Sequence, residues 1–155
     1  MYDFVSDDIV ARMWVLLNQA FNAAYTVTSK KLRPWGISSQ QAHVLLVLSG
    51  SSSPPTCTEI SRIVMRKPHT VTALLNGMQR AGLIKRIKDD HNQKLVRVVM
   101  TKKGKEMWKQ IVQTQLAISM ISFLSVEEIQ QLNSTLEKLR DAAFRQLEGG
   151  RSEFA

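Results

Sequence analysis

"KPHTVTALLNGMQRAGLIKRIKDDHNQKLVRVVMT", residues 67–101, is the stretch whose reading decides the fold. Its first half has the spacing of a helix, and Gly82 is a natural stop. "LIKRIK" and "LVRVVMT" are rich in β-branched residues and flank "DDHNQ", which predicts a β-hairpin. At 100° per residue, the helix gathers Val71, Leu74, Leu75 and Met78 into one buried stripe. His69, Ala73, Asn76 and Arg80 lie opposite, flanked by Thr70 and Thr72. That face is small and hydrogen-bonding. An ordinary solvated surface carries the same residue types, so its neighbours must decide its role.

Working outward, Pro68 suits the first turn of this fourth helix. Thr58 can cap a short third helix, "EISRIVMRK", with Ile60, Ile63 and Val64 pointing inward. Further back, apolar residues from Ile9 to Ala24 recur at helical spacing, so a first helix runs from Asp7 or Asp8 to about Lys31. Pro34 and Gly36 end it. Ser38 and Gln41 form a capping box for a second helix, which closes at Gly50 before the loop "SGSSSPPT". On the far side, Thr101 caps a fifth helix from Lys102 to about Ser122. Ser125 and Glu128 open a sixth that ends near Gly149, and "GGRSEFA" reads as a frayed tail.

The fold class is therefore mainly α with a small β-hairpin wing. A winged helix-turn-helix domain at 33–104 is flanked by an N-terminal helix at 1–32 and C-terminal helices at 105–155, which are expected to form a dimerisation region unless the last helix folds back on its own chain. The last helix carries Ile129, Leu132, Leu136, Leu139 and Leu147 at alternating spacings of three and four, as in a coiled-coil seam. A homodimer would set two recognition helices about one DNA turn apart, on the order of 34–36 Å.

The formal net charge is +8. Thr56 to Gln110 holds 13 Lys/Arg against 4 Asp/Glu, and the remainder holds 8 against 9. The whole excess sits beside the candidate helix, whereas charge serving solubility would be spread along the chain. Arg66 and Lys67 flank the helix N-terminus, which attracts phosphate through its free N–H groups. Lys85, Arg86, Lys88, Asn92, Gln93, Lys94 and Arg97 lie on the hairpin. Phosphate contacts set position and base contacts set sequence, and this region offers both. Asn76 can pair bidentately with adenine. Asp89 and Asp90 would repel phosphate unless they pair with hairpin arginines. Three lysines in the first turn of the fifth helix (Lys102, Lys103 and Lys105) oppose the helix dipole, which hints at an anion nearby or at plain solvation.

Other classes are less well served. His43, His69 and His91 are scattered, and no catalytic or metal-ligand spacing accompanies them, so neither an enzyme nor a cofactor is expected. No apolar run approaches the ~18 residues of a membrane span. One cysteine, Cys57, and an acidic N-terminus fit the cytoplasm. A winged helix binding RNA or another protein stays open as the alternative, although single-stranded RNA favours exposed aromatic platforms.

These residues resemble the MarR family of bacterial transcription regulators over nearly the whole chain. The likeness runs through "LRPWGISSQQAHVLLVLS", "TCTEISRIV", "HTVTALLNGMQRAGLIKR" and "VVMTKKGKE", with Met100 where the family has leucine before Thr-x-x-Gly. The resemblance implies a short strand at Cys57 and an obligate dimer. It also implies recognition helices in adjacent major grooves of a near-palindromic operator, with wings reaching the flanking minor grooves; a repressor is expected, although the sequence leaves activation open. The family's wing carries Asp-x-Arg, whereas Asn92-Gln93-Lys94 stands here. Lys94 keeps the charge without the planar fork, which favours a phosphate contact over minor-groove reading. Many relatives release DNA on binding a small aromatic effector. Trp14, Trp35, His43 and Trp108 could border such a pocket but read better as core or boundary residues, and no effector site is assigned. Cys57 reads as a packed, inert thiol.

Overall fold

The computed structural model describes residues 7–148. Contacts divide the chain into two compact units that meet between Ser39 and Gln40. The first is built on helix α1 (Ile9–Leu32). Asp8 starts it by accepting hydrogen bonds from the backbone N–H groups of Val10 (2.9 Å) and Ala11 (3.2 Å), satisfying donors that have no partner inside the helix. A 3-10 turn at Arg33–Trp35 ends on Gly36, at φ 65°. Much of the apolar surface of α1 is uncovered, with Ile9, Leu16, Phe21 and Tyr25 all exposed.

In the second unit, α2 (Ser39–Gly50), α3 (Cys57–Ile63) and α4 (Pro68–Arg80) precede the strands β1 (Ile84–Lys88) and β2 (Val96–Met100). Three helices follow: α5 (Lys102–Gln113), α6 (Leu116–Ile121) and α7 (Val126–Glu148). The strands pair antiparallel, from Ile84 opposite Met100 to Lys88 opposite Val96. Thr56 forms an isolated bridge to Arg97, and Val98 N–H donates to the Pro55 carbonyl (2.8 Å), adding a vestigial third strand. α3 packs on α4, α4 on β1, and β2 on both α3 and α5. Val44, Leu45, Ile60, Val71, Leu75, Met78, Ile84 and Val98 are fully buried in this unit. The expected winged helix is present, and the α4 stripe faces inward as its period requires, with Leu74 half-buried at its edge.

Three local expectations are corrected. Thr56, not Thr58, caps α3, because only Thr56 has a glutamate three residues on. Glu59 N–H donates to its hydroxyl (3.3 Å), and the Glu59 carboxylate accepts from its backbone N–H (2.6 Å). Cys57 is thus the first helical residue, not part of a strand. Ile63 is 54% exposed because α3 stops there, and its last turn never rotates that side chain inward. The fifth helix breaks: the Thr114 hydroxyl donates to the Ile111 carbonyl (2.6 Å) and Gln115 adopts φ 48°, so α5 and α6 are separate. Ser125 and Glu128 do form the expected capping box of α7. The "GGRSEFA" tail lies outside the described residues.

The helix-turn-helix is framed by two C-terminal motifs of one kind. After α4, Gly82 (φ 72°) donates to Gln79 O and Leu83 to Met78 O. After α3, Met65 (φ 51°) donates to Arg62 O and Arg66 to Ser61 O. Both are Schellman closures, yet only the first has the glycine that makes left-handed backbone free of Cβ strain. Met65→Gly is therefore expected to stabilise the fold by about 0.5–1 kcal/mol, net of the greater freedom glycine has when unfolded. A thermal melt should show the midpoint rising by a few degrees; a fall would mean that the Met65 side chain contributes more than its backbone costs.

Candidate nucleic-acid interface

The outer face of α4 is open to solvent. Lys67, His69, Thr70, Thr72, Ala73, Asn76 and Arg80 are all exposed, so the structure gathers the expected recognition residues on one surface. Thr72 is also linked to α3, its hydroxyl lying 3.4 Å from the Cys57 sulfur. Gln79, absent from the expected set, shares this face. It lies three residues beyond Asn76, a spacing that could have revealed it. An open cavity of about 630 Å³ is lined by Asn76, Gln79, Arg80 and Arg86.

The hairpin divides its cations into two groups. Lys85, Lys88 and Lys94 are exposed, as is Arg66 ahead of α4. Arg97 is different. Its side chain is only 23% exposed and is held from three directions. Nε donates to the Asp89 carboxylate, Nη1 donates to the Pro54 carbonyl (2.8 Å), and Glu59 lies 3.8 Å away. With Nε and Nη1 committed, Arg97 braces the base of the wing against the segment before α3. Arg97, expected from the sequence to contact DNA, is placed by the fold at this partly buried junction. Arg86 is half-buried and likewise engaged, with Asn76 and Gln79.

Asp89 anchors the turn. Besides Arg97, it accepts from the backbone N–H of Asn92 (2.8 Å) and His91 (2.9 Å). These bonds, led by Arg97, pull its carboxyl down to about 2. Asn92 is turned back as well, its Oδ1 accepting from Lys94 N–H (3.1 Å), and Gln93 Nε2 donates to the Asp89 carbonyl (3.2 Å). Lys94 is left as the cation at the wing tip. An acid–arginine pair thus does brace this hairpin, through Asp89 and Arg97 rather than through residues 92–94. Because folding lowers the Asp89 pKa, its contribution is fully present above about pH 4 and fades as pH falls towards 2. In an NMR titration the His91 and Asn92 amide shifts should move with a midpoint near 2. A midpoint near 4 would mean that the clasp is not formed in solution.

The α5 lysines have a partial explanation. Lys103 Nζ donates to the Ala81 carbonyl (2.8 Å) at the C-terminal end of α4, where a cation is favoured by the helix dipole. Of the residues weighed for an effector pocket, Trp14 and His43 are exposed, while Trp35 and Trp108 are half-buried. Although part of its surface meets solvent, the His43 imidazole is partly desolvated by its neighbours, and this, followed by the charge of Arg66, lowers its pKa. Among the described residues, no group of three or more His, Cys, Asp or Glu could hold a metal, and no helix is long and apolar enough to cross a membrane.

Comparison with known proteins agrees with this geometry. The MarR family model matches residues 35–94, from the turn before α2 to the wing tip. The transcriptional activatory protein BadR of Rhodopseudomonas palustris is 23% identical, with 96% of this chain aligned to 87% of that protein. The structure of a mutant MarR from E. coli complexed with operator DNA superposes with a TM-score of 0.70 at 19% identity, covering 86% of this chain and 99% of that one. An organohalide-sensing transcriptional regulator in its 2,4-dichlorophenol-bound form gives 0.71 at 22% identity, covering 92% and 88%. MarR-family proteins are transcription regulators rather than enzymes. The winged helix is thus similar to the MarR family over residues 35–94, and the fold of MarR-family regulators is shared along most of the chain.

Proposed function

We propose that the protein binds a near-palindromic operator in duplex DNA as a homodimer and represses transcription by occupying it. The observation that carries this reading is that α4 and the wing both present exposed cations and amides, Asn76, Arg80, Lys85, Lys88 and Lys94 among them, with Arg86 tying the two elements together. His69, Thr70, Thr72, Ala73 and Asn76 would meet base edges, while Arg66, Lys67, Arg80 and the wing lysines would meet phosphate. Arg97 acts indirectly by holding the wing in place.

The second copy would cover the seam of α7. Leu132, Leu136 and Leu147 are exposed and Ile129 and Leu139 half-covered, and no other described element of the same unit packs extensively along this helix. In this reading 33–104 is the DNA-binding domain, with the dimerisation segments at 1–32 and 105–155. The dichlorophenol-bound relative supports a small aromatic effector as the releasing signal.

The DNA assignment is tested by binding to random duplex, single-stranded RNA and heparin across a salt series. Duplex should be preferred; tighter binding to RNA would overturn the assignment. Lys94→Ala should weaken all duplexes alike and flatten the salt slope by about one unit, the signature of one lost phosphate contact. An effect confined to one operator would instead show Lys94 reading sequence. A promoter reporter gives the sign of regulation: loss of the protein should raise transcription, and a fall would place it with the activatory relative.

A further inference from the structure

We propose that Arg86 sets the polarity of the reading face, presenting Asn76 and Gln79 to DNA as hydrogen-bond donors that select guanine over adenine. This rests on the duplex-DNA reading above and specifies what that face recognises. Arg86 Nη2 donates to Asn76 Oδ1 (2.8 Å), and Nη1 donates to Gln79 Oε1 (2.6 Å). A side-chain amide can ordinarily turn either end towards a base. Here it cannot, because a guanidinium has five donors and no acceptor, so only the amide oxygens can face it. One rigid fork holds both amides at once. Each NH2 group is left on the side of its amide away from Arg86, with no other described residue taking it up. The cavity beside them is open and large enough to admit a base edge, and Arg80, on its wall, adds only further donors.

The consequence follows from the major-groove edges. Adenine shows an acceptor, N7, beside a donor, the N6 amino group, so a bidentate amide needs its own oxygen facing the base. That oxygen is turned towards Arg86, which leaves the NH2 end to meet the base, and donor would meet donor at N6. Guanine shows two acceptors, N7 and O6, which suit an amide offering N–H alone. The adenine pairing expected from Asn76 in isolation is thereby inverted by a residue ten positions away.

Binding-site selection from random duplexes, run with wild type, Asn76→Ala and Arg86→Met, tests the inference. The position that Asn76→Ala flattens is the one Asn76 reads. There wild type should prefer guanine over adenine by about tenfold. Arg86→Met keeps an unbranched stem without donors and should shift the preferred base to adenine, whatever happens to overall affinity. Adenine at that position in wild type, or an unchanged guanine preference in Arg86→Met, overturns the proposal while leaving operator recognition standing. A wild-type profile with no preference anywhere overturns both. If Arg86→Met fails to melt cooperatively, the base found with wild type and Asn76→Ala decides alone.

Discussion

Gly104→Ala should cost about 3 kcal/mol or more, lowering the melting midpoint by roughly 6–12 °C at fixed protein concentration. A Cβ at this position would lie 2.0 Å from the Leu83 carbonyl oxygen and 3.0 Å from its carbonyl carbon. Both are backbone atoms, so no rotamer change relieves the overlap. The junction around them is closely tied. Thr101 N–H donates to the Leu83 carbonyl (3.0 Å), its hydroxyl donates to the Gly82 carbonyl (2.5 Å), and that hydroxyl in turn accepts from Gly104 N–H (3.1 Å). Moving α5 away to admit a methyl group would break these bonds. It would also pull Lys103 from the end of α4 and loosen the strand that carries Arg86. The Gly104→Ala protein should therefore lose operator preference before it loses charge-driven affinity for random duplex. A melting midpoint within a degree of wild type would show that the close approach of α5 to Leu83 is not kept in solution.

Leu132→Glu with Leu136→Glu should yield a monomer at micromolar concentration and weaken operator binding by at least roughly 100-fold, since two linked half-site contacts become one. The two leucines are 46% and 41% exposed within one chain, one turn apart on a helix that no other described element of its unit covers extensively. Charges there should be tolerated by the isolated fold and opposed by a dry interface, where an unpaired carboxylate is costly to bury. Sedimentation equilibrium reads the association, and fluorescence anisotropy on an operator duplex reads the affinity. If the protein stays dimeric, the seam of α7 is not the interface. If it becomes monomeric with full affinity, recognition does not need two copies.

Much of the fold was legible because its signals are local. The Ser125–Glu128 box, Asp8 ahead of α1 and the period of Val71, Leu75 and Met78 each act within about four residues, the reach of one helical turn. The hairpin was marked by two β-branched runs and a polar turn, and β1 and β2 fall within them. The misreadings were near-ties in the same code. Thr56 and Thr58 both suit an N-cap, and only the glutamate at N3 separates them. Nothing in "VQTQLA" announces a residue at positive φ, since glutamine seldom adopts it.

The order of helices and strands, the buried stripe of α4, the siting of positive charge beside it and the uncovered leucines of α7 were all determined by the chain's own periodicities. The partners of Arg97 and Arg86 were decided only by tertiary structure. Asp89, Pro54 and Glu59 lie 8, 43 and 38 positions from Arg97, and a long flexible side chain has no preference among them until packing sets the distances. Both arginines read from sequence as cations for DNA. Folding turns one into a brace for the wing and the other into a fixed donor fork against two amides, because a guanidinium takes the nearest acceptors that its surroundings hold still.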